Sequence, residues 1–308
     1  MEENVIFDLI KNFEKQFDYK PKIENSKNLK SYKKIFVAGM GGSHLAADLI
    51  KSIYPKINLT IHSNYGLPLG VDKDSLLIVS SFSGNTEEVI DALNCAIKKK
   101  IPTITISSGG KIIDLSKKNS LPFIQLPDNS LPPRLAMGYS LVAFLKILNK
   151  KINIEIDNSK IEKEGKKIAE KVYNTIPLIY SSEKNKAIAN IWKINFNENA
   201  KNPSFINVFP ELNHNEMVGF LKNNNQFSFI FIEDENDYPR IKLRMNIFKK
   251  IYNKFNIETI KSEEKDIWNK TIYLVLLSIW TSYYLALKNN VEPGKVEVIE
   301  NFKKELSL

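Results

Sequence analysis

The feature that most limits how this chain can fold is a rhythm. Short apolar runs, each too short for a helix, alternate with longer stretches that repeat apolar residues every three or four positions. Runs at 35–38, 59–61, 76–79, 103–106 and 123–126 read as strands. Helical stripes follow, such as Leu45, Ala46, Leu49 and Ile50, then Val89, Ile90, Leu93, Ala96 and Ile97. Such alternation implies an α/β fold with a parallel sheet flanked by helices. The second half repeats the plan, with helices expected near 161–173, 185–198, 241–255, 267–287 and 296–306, and strands at 178–180, 205–208, 227–232 and 257–260. Residues 4–17 carry Val5, Ile6, Leu9, Ile10, Phe13 and Phe17 at helical spacing, one face for a core. A polar stretch at 149–154 separates the halves, so the expected domains are 1–152 and 153–308, with no clear sequence repeat between them.

Charge and cysteine usage narrow the function classes. The net charge of +9 suits anionic partners. No basic cluster is interleaved with aromatics and no recognition-helix motif is present, so no nucleic-acid role is expected; Lys98, Lys99 and Lys100 read as solvated surface. Cys95 stands alone, which rules out an internal disulfide. His44, His62 and His214 lie far apart without ligand spacing, so no metal is expected. The start, Met1-Glu2-Glu3, lacks a basic region followed by an apolar core, so no signal peptide is expected. Residues 271–287 are apolar but shorter than the ~20 a membrane span needs. They include Ser278, Thr281, Ser282 and three tyrosines, so a buried helix in a cytosolic protein, without membrane contact, is the expectation.

Two turns could carry chemistry. After the run 76–79 come Ser81, Ser83, Gly84 and Thr86, and a helical stripe starts at once. Helix N-termini present unpaired N–H groups and a favourable dipole to anions, so hydroxyls and a glycine there can cradle a phosphate. A plain N-cap by Ser83 or Thr86 is the simpler alternative. The earlier turn, Gly39-Met40-Gly41-Gly42-Ser43, also joins a strand to a helix. Its spacing is not G-x-G-x-x-G, no acidic residue ends the next strand at 61–64, and no Gly-Lys-Ser/Thr occurs, so no nucleotide cofactor is expected. Both turns would lie at carboxyl ends of parallel strands, where open α/β sheets bind ligands.

The pair Gly41-Gly42-Ser43 and Ser81-Phe82-Ser83-Gly84-Asn85-Thr86-Glu87 resembles the signature of sugar isomerase (SIS) domains, which bind phosphosugars. Two further stretches are similar to the archaeal-type bifunctional phosphoglucose/phosphomannose isomerases: Pro132-Pro133-Arg134-Leu135-Ala136-Met137-Gly138-Tyr139 and Phe209-Pro210-Glu211-Leu212-Asn213-His214-Asn215-Glu216. The resemblance implies two SIS-type subdomains, each a flavodoxin-like three-layer sandwich, and a cofactor-free, metal-independent aldose–ketose isomerase. It implies that Gly41, Gly42, Ser43, Ser81, Ser83 and Thr86 bind the substrate and its phosphate. The other readings are an SIS enzyme on another phosphosugar, such as glucosamine 6-phosphate, and a phosphosugar-sensing module without turnover.

Aldose–ketose isomerisation needs a base to move a proton between C1 and C2, positive charge beside the enediolate, and an acid/base pair to open the ring. Glu198 suits the base: its spacing from Ile191 and Ile194 puts it on the apolar side of its helix, where partial burial favours a raised pKa. An exposed helix-end carboxylate is the alternative. The resemblance adds that the family base lies sixteen residues before the ring-opening histidine, which pairs Glu198 with His214. Glu211 and Glu216 read as structural carboxylates around that histidine. The resemblance further assigns Arg134 to the enediolate, assigns Lys295, in Val-Glu-Pro-Gly-Lys, to ring opening, and implies a homodimer in which His214 serves the neighbouring subunit. An ion pair for Arg134 and a surface site for Lys295 are the alternatives. Two departures stand out. Lys288 occupies the position, seven before the lysine, where relatives carry glutamine or threonine, and His44 stands where they have a small residue.

Overall fold

The computed structural model describes residues 3–127, 131–221 and 226–306. The chain opens with α1 (Glu3–Lys11), and each expected strand then forms within two residues of its apolar run. In the first half, β1 (Lys34–Ala38), β2 (Leu59–His62), β3 (Ser75–Ser80), β4 (Thr103–Ser107) and β5 (Phe123–Gln125) make one parallel sheet, ordered β2-β1-β3-β4-β5. Four helices belong with it: α2 (Leu45–Ile53), α3 (Glu87–Lys99), α4 (Gly110–Lys118) and α5 (Met137–Ile147). Side chains alternate across the sheet. Phe36, Ala38, Leu77 and Val79 pack against Val89, Ala92, Leu93 and Ala96 of α3, while Val37 and Ile78, of opposite parity, are fully buried on the other face. A sheet buried on both faces explains why β3 and β4 read as unbroken apolar runs.

The second half holds α6 (Asn158–Val172), β6 (Ile176–Ser182), α7 (Lys186–Glu198), β7 (Phe205–Phe209), β8 (Phe227–Ile232), α8 (Pro239–Ile251), β9 (Asn256–Ile260), α9 (Ile267–Lys288) and α10 (Glu297–Leu306). Its parallel sheet, β7-β6-β8-β9, repeats the order of the first four strands of the other sheet. One face is an aromatic cluster, with Tyr180, Phe209, Phe229 and Phe231 against Phe248 and Tyr252 of α8. Asp157 caps α6 by accepting from Lys160 N–H, and Asp266 caps α9 by accepting from Trp268 and Asn269 N–H. The apolar segment that raised the membrane question is α9. It is long and apolar enough to cross a membrane, but 78% of its most apolar window is buried, as in the core helix of a folded domain.

Two compact units result, one from Asn12 to Ile154 and the other built from Glu155 onward together with the residues up to Lys11. This departs from the expected division at 152/153, because α1 folds with the second half. The reason is packing. The Phe7 ring lies edge-on to Trp280 of α9 at 5.3 Å, Ile6 and Ile10 are buried, and Asn158 donates to the carbonyls of Ile10 and Lys11 at the end of α1. Burying two isoleucines contributes about 3–6 kcal/mol, which the periodicity of α1 demanded without naming the partner.

At the carboxyl ends of β6 and β8 the second sheet holds an internal ion cluster. Asp234 is buried and accepts from Lys184 (2.8 Å), Lys270 (3.2 Å) and the Asn236 N–H (2.9 Å). Burial alone would raise this carboxyl; the two ammoniums and the N–H outweigh it and hold it at about 2. A carboxyl depressed by folding stabilises the protein above the unfolded pKa of about 4, and that contribution is lost as pH falls toward 2. Asp234→Asn is expected to lower stability at pH 7 by on the order of 2 kcal/mol and to flatten the loss between pH 4 and 2. Denaturant titrations of both proteins at several pH values check this.

Candidate active site

The two turns singled out in the sequence are hydrogen-bonded to each other. β1 and β3 are neighbours in the sheet, and the order reverses between them, the crevice position of doubly wound folds. Ser43 is buried; its hydroxyl accepts from Phe82 N–H at 3.0 Å and its carbonyl accepts from the Ser80 hydroxyl at 2.7 Å. Gly41 takes a left-handed φ of +51°. A Cβ on Gly42 would stand 3.0 Å from Arg134 N and 3.1 Å from Pro133 C, so the stiff Pro132–Pro133–Arg134 loop lies directly on this turn. Arg134, only 3% exposed, is thereby brought against the first of the two turns.

Within the second turn, the Ser81 and Thr86 hydroxyls pair at 2.9 Å, and Ser81 Oγ accepts from Gly84 N–H at 3.2 Å. Thr86 is the N-cap residue of α3 yet its hydroxyl makes no capping bond. The simple capping alternative therefore does not describe Thr86, whose hydroxyl meets Ser81 at the start of α3 instead. Ser83 is exposed and its Oγ accepts from Asn85 N–H at 3.3 Å. Beyond the expected residues, a third loop closes on this turn. Ser108 donates to the Phe82 carbonyl from both its hydroxyl (2.7 Å) and its N–H (3.0 Å), and Asn85 Oδ1 accepts from Lys111 N–H at 3.1 Å. The signal was present as Ser107-Ser108-Gly109-Gly110, another strand-to-helix turn rich in hydroxyls and glycines. His44 is occupied locally, its Nδ1 lying 2.6 Å from Asp48 Oδ2 on the first turn of α2.

The second unit carries the proposed proton-transfer groups. Glu198 ends α7 and is half-buried. Three buried polar contacts fix α7 along α9: Trp192 Nε1 donates to the Leu274 carbonyl (2.9 Å), Asn195 Nδ2 to Ser278 Oγ (2.8 Å) and Asn199 Nδ2 to Ser282 Oγ (2.8 Å). Both serines pass their own protons to α9 carbonyls, Val275 at 2.6 Å and Ile279 at 2.9 Å, so both hydroxyls donate and accept. With the helices so registered, Glu198 and Lys295 line one cavity of about 570 Å³, along with Lys201, Glu292, Val291 and Val296. Lys295 Nζ lies 2.7 Å from Glu292 Oε2. That bond raises the lysine and lowers the glutamate, so the pair is charged through neutral pH. Lys288 is not among the lining residues; its ammonium sits 5.2 Å over the Tyr173 ring.

His214 is placed apart from that cavity. It is exposed at the end of a 3₁₀ turn, Glu211–His214, whose surroundings are firmly held. Leu212 is buried, Arg244 donates to Asn213 Oδ1 (3.2 Å), Tyr252 donates to the Met217 carbonyl (2.5 Å), and Glu216 accepts from both Tyr180 and Asn207. Glu211 accepts from Asn215 at 3.2 Å. The result is an exposed imidazole on an anchored support.

Gly84 is the sharpest point of the cradle. Its φ is +71°, and a Cβ there would stand 1.8 Å from the Gly109 carbonyl oxygen. Gly84→Ala must push the Ser81–Thr86 turn and the third loop apart. The expected result is a folded protein whose phosphosugar Kd rises by tenfold or more, measured by calorimetry.

The model of the bacterial phospho-glucose isomerase C-terminal SIS domain matches residues 161–306. A bifunctional phosphoglucose/phosphomannose isomerase of Aquifex aeolicus is 32% identical over 322 residues, covering 99% of each chain. One from Thermoplasma volcanium is 33% identical over 297 residues, 93% of this chain and 95% of the relative. A D-glucosamine-6-phosphate 4-epimerase of Sulfolobus acidocaldarius is 25% identical over 289 residues, covering 89% and 90%. The fold is shared with the crystal structure of a glucosamine-6-phosphate deaminase from Thermotoga maritima, with a TM-score of 0.67 at 14% identity over 96% and 97% of the chains. It is also shared with the C-terminal domain of glucosamine-fructose-6-phosphate aminotransferase from Francisella tularensis, with a TM-score of 0.67 at 12% identity over 94% and 96%. With paired hydroxyl turns, an arginine loop packed on one of them, and near-full-length relatives above 30% identity, the chain belongs to the bifunctional phosphoglucose/phosphomannose isomerase family of SIS-domain proteins.

Proposed function

We propose that the protein interconverts glucose 6-phosphate and mannose 6-phosphate with fructose 6-phosphate through a cis-enediol. The observation that carries the reading is that Glu198 and Lys295, far apart in sequence, line one cavity. Gly41, Gly42, Ser43, Ser81, Ser83 and Thr86 bind the sugar and its phosphate. Lys295, kept protonated by Glu292, donates to the ring oxygen while His214 takes the anomeric hydroxyl proton, and the ring opens. Glu198 removes the C2 proton of the aldose; the electron pair passes to the C1 carbonyl and forms an enediolate, whose charge Arg134 meets. The proton of the C2 hydroxyl passes to the C1 oxygen, and Glu198 returns its proton to C1, leaving the hydroxyl at C1 and the carbonyl at C2. Glucose and mannose phosphates differ only at C2, so both give the same enediol once that proton is gone. Lys288, over the Tyr173 ring, takes no wall of the cavity, which favours acceptance of both epimers.

The exposed, anchored His214 supports a homodimer in which this histidine serves the neighbouring copy's site. Fructose 6-phosphate should form from each aldose phosphate in the presence of EDTA; activity abolished by EDTA and restored by a metal ion contradicts the assignment. Mixing Glu198→Gln and His214→Ala subunits under exchange tests the partnership. A site that takes its histidine from the partner regains function in one of the two sites of each mixed dimer, or about a quarter of wild-type activity in an equimolar mixture. A site built within one chain gives none.

A further inference from the structure

Lys201 lies just beyond α7, in Asn199-Ala200-Lys201-Asn202-Pro203. Its backbone is unusual: φ is +51°, in the left-handed region that residues with a Cβ rarely adopt. The end of α7 requires such a residue, since Ala200 N–H and Asn202 N–H both turn back to the Phe196 carbonyl, at 3.2 and 3.1 Å. Glycine would fill that place without steric cost. A lysine held there points to a use for its side chain.

The ammonium lies 2.8 Å from the Glu198 carbonyl, 2.7 Å from the Glu292 carbonyl and 2.6 Å from the Lys295 carbonyl. An ammonium has three N–H donors, and these three short contacts match that number; the Asn199 carbonyl at 3.5 Å is marginal. One carbonyl belongs to the proposed base, and the other two to the loop that carries the proposed ring-opening lysine. The cation also meets the negative end of the α7 dipole. A second tie runs beside it, from Asn289 Nδ2 to the Ala200 carbonyl at 3.0 Å.

We infer that Lys201 is a positioning residue for isomerisation: its ammonium clamps the 291–295 loop to the end of α7 and so sets the placement of Lys295 relative to Glu198. The inference rests on the roles proposed above for those two residues. Misplacement of a reacting group by about 1 Å can cost a hundredfold in rate without weakening substrate binding.

Lys201→Gly separates the side chain from the backbone, because glycine keeps the left-handed turn, while Lys201→Arg keeps a cation with several donors. The glycine variant should lose kcat by about 10- to 100-fold with KM within about threefold of wild type. Amides of the 291–296 loop should exchange faster with D2O, and the arginine variant should recover most of kcat. A glycine variant with wild-type kcat overturns the positioning role whatever the loop does. So does a kcat loss without faster loop exchange, a loss carried by KM alone, or an arginine variant as slow as the glycine one. Glu198→Gln assayed alongside tells the two levels apart: normal turnover in that variant removes the proposed base, while loop exchange in Lys201→Gly still decides whether the clamp exists.

Discussion

The second half of the chain depends on the polar seam between α7 and α9. Trp192 and Asn195 lie on one face of α7 with Asn199 at its C-cap, and their partners Leu274, Ser278 and Ser282 follow at four-residue steps on α9. Apolar packing alone tolerates sliding one helix along another by a turn; this seam does not. A slip would strand two buried amides and an indole N–H, each at a cost of about 1–3 kcal/mol. The seam therefore buries polar groups in return for a single register. From that register follow the position of Glu198 at the end of α7 and of the Lys295 loop beyond α9. Close approach of α6 serves the same helix: a Cβ on Gly165 would stand 2.6 Å from Trp280 Cβ.

The first half reaches its geometry by other means. Three of its strand-to-helix turns are held together by serine hydroxyls and backbone N–H groups, with glycines where the backbones touch. Gly42 lets the Pro133–Arg134 backbone rest on the first turn, and Gly84 lets the third loop close on the second. Backbone N–H and hydroxyl dipoles held in this way have little freedom to reorganise, which suits the anchoring role proposed for these turns. At the corresponding strand ends of the second sheet, Asp234 with Lys184 and Lys270 forms an internal ion cluster.

Much of this was legible in the sequence, for reasons that differ by element. β3, β4 and β8 are buried on both faces and show as unbroken apolar runs; α3 and α6 show as 3.6-period stripes. The hydroxyl turns could be read because chemistry and conformation there call for the same few residue types. The attachment of α1 was not legible, because a stripe shows that a helix has a buried face and not which core receives it. Lys201 was hidden for a related reason: a lysine bound to backbone carbonyls looks in sequence like any solvated lysine. The pairing of Ser81 with Thr86, in place of an N-cap, likewise depends on a side-chain choice that residue type leaves open.

Whether Glu198 moves the proton between C1 and C2 is read most directly from solvent isotope. Hexose phosphates incubated in D2O with the wild-type protein should acquire deuterium at C1 of the ketose phosphate and at C2 of the aldose phosphate, as the proton on the carboxyl exchanges with solvent during the enediol's lifetime. Folded Glu198→Gln, still able to bind the phosphosugar, should neither isomerise it nor introduce deuterium at a detectable rate. Deuterium incorporation by that variant at the wild-type rate would contradict the assignment of the base.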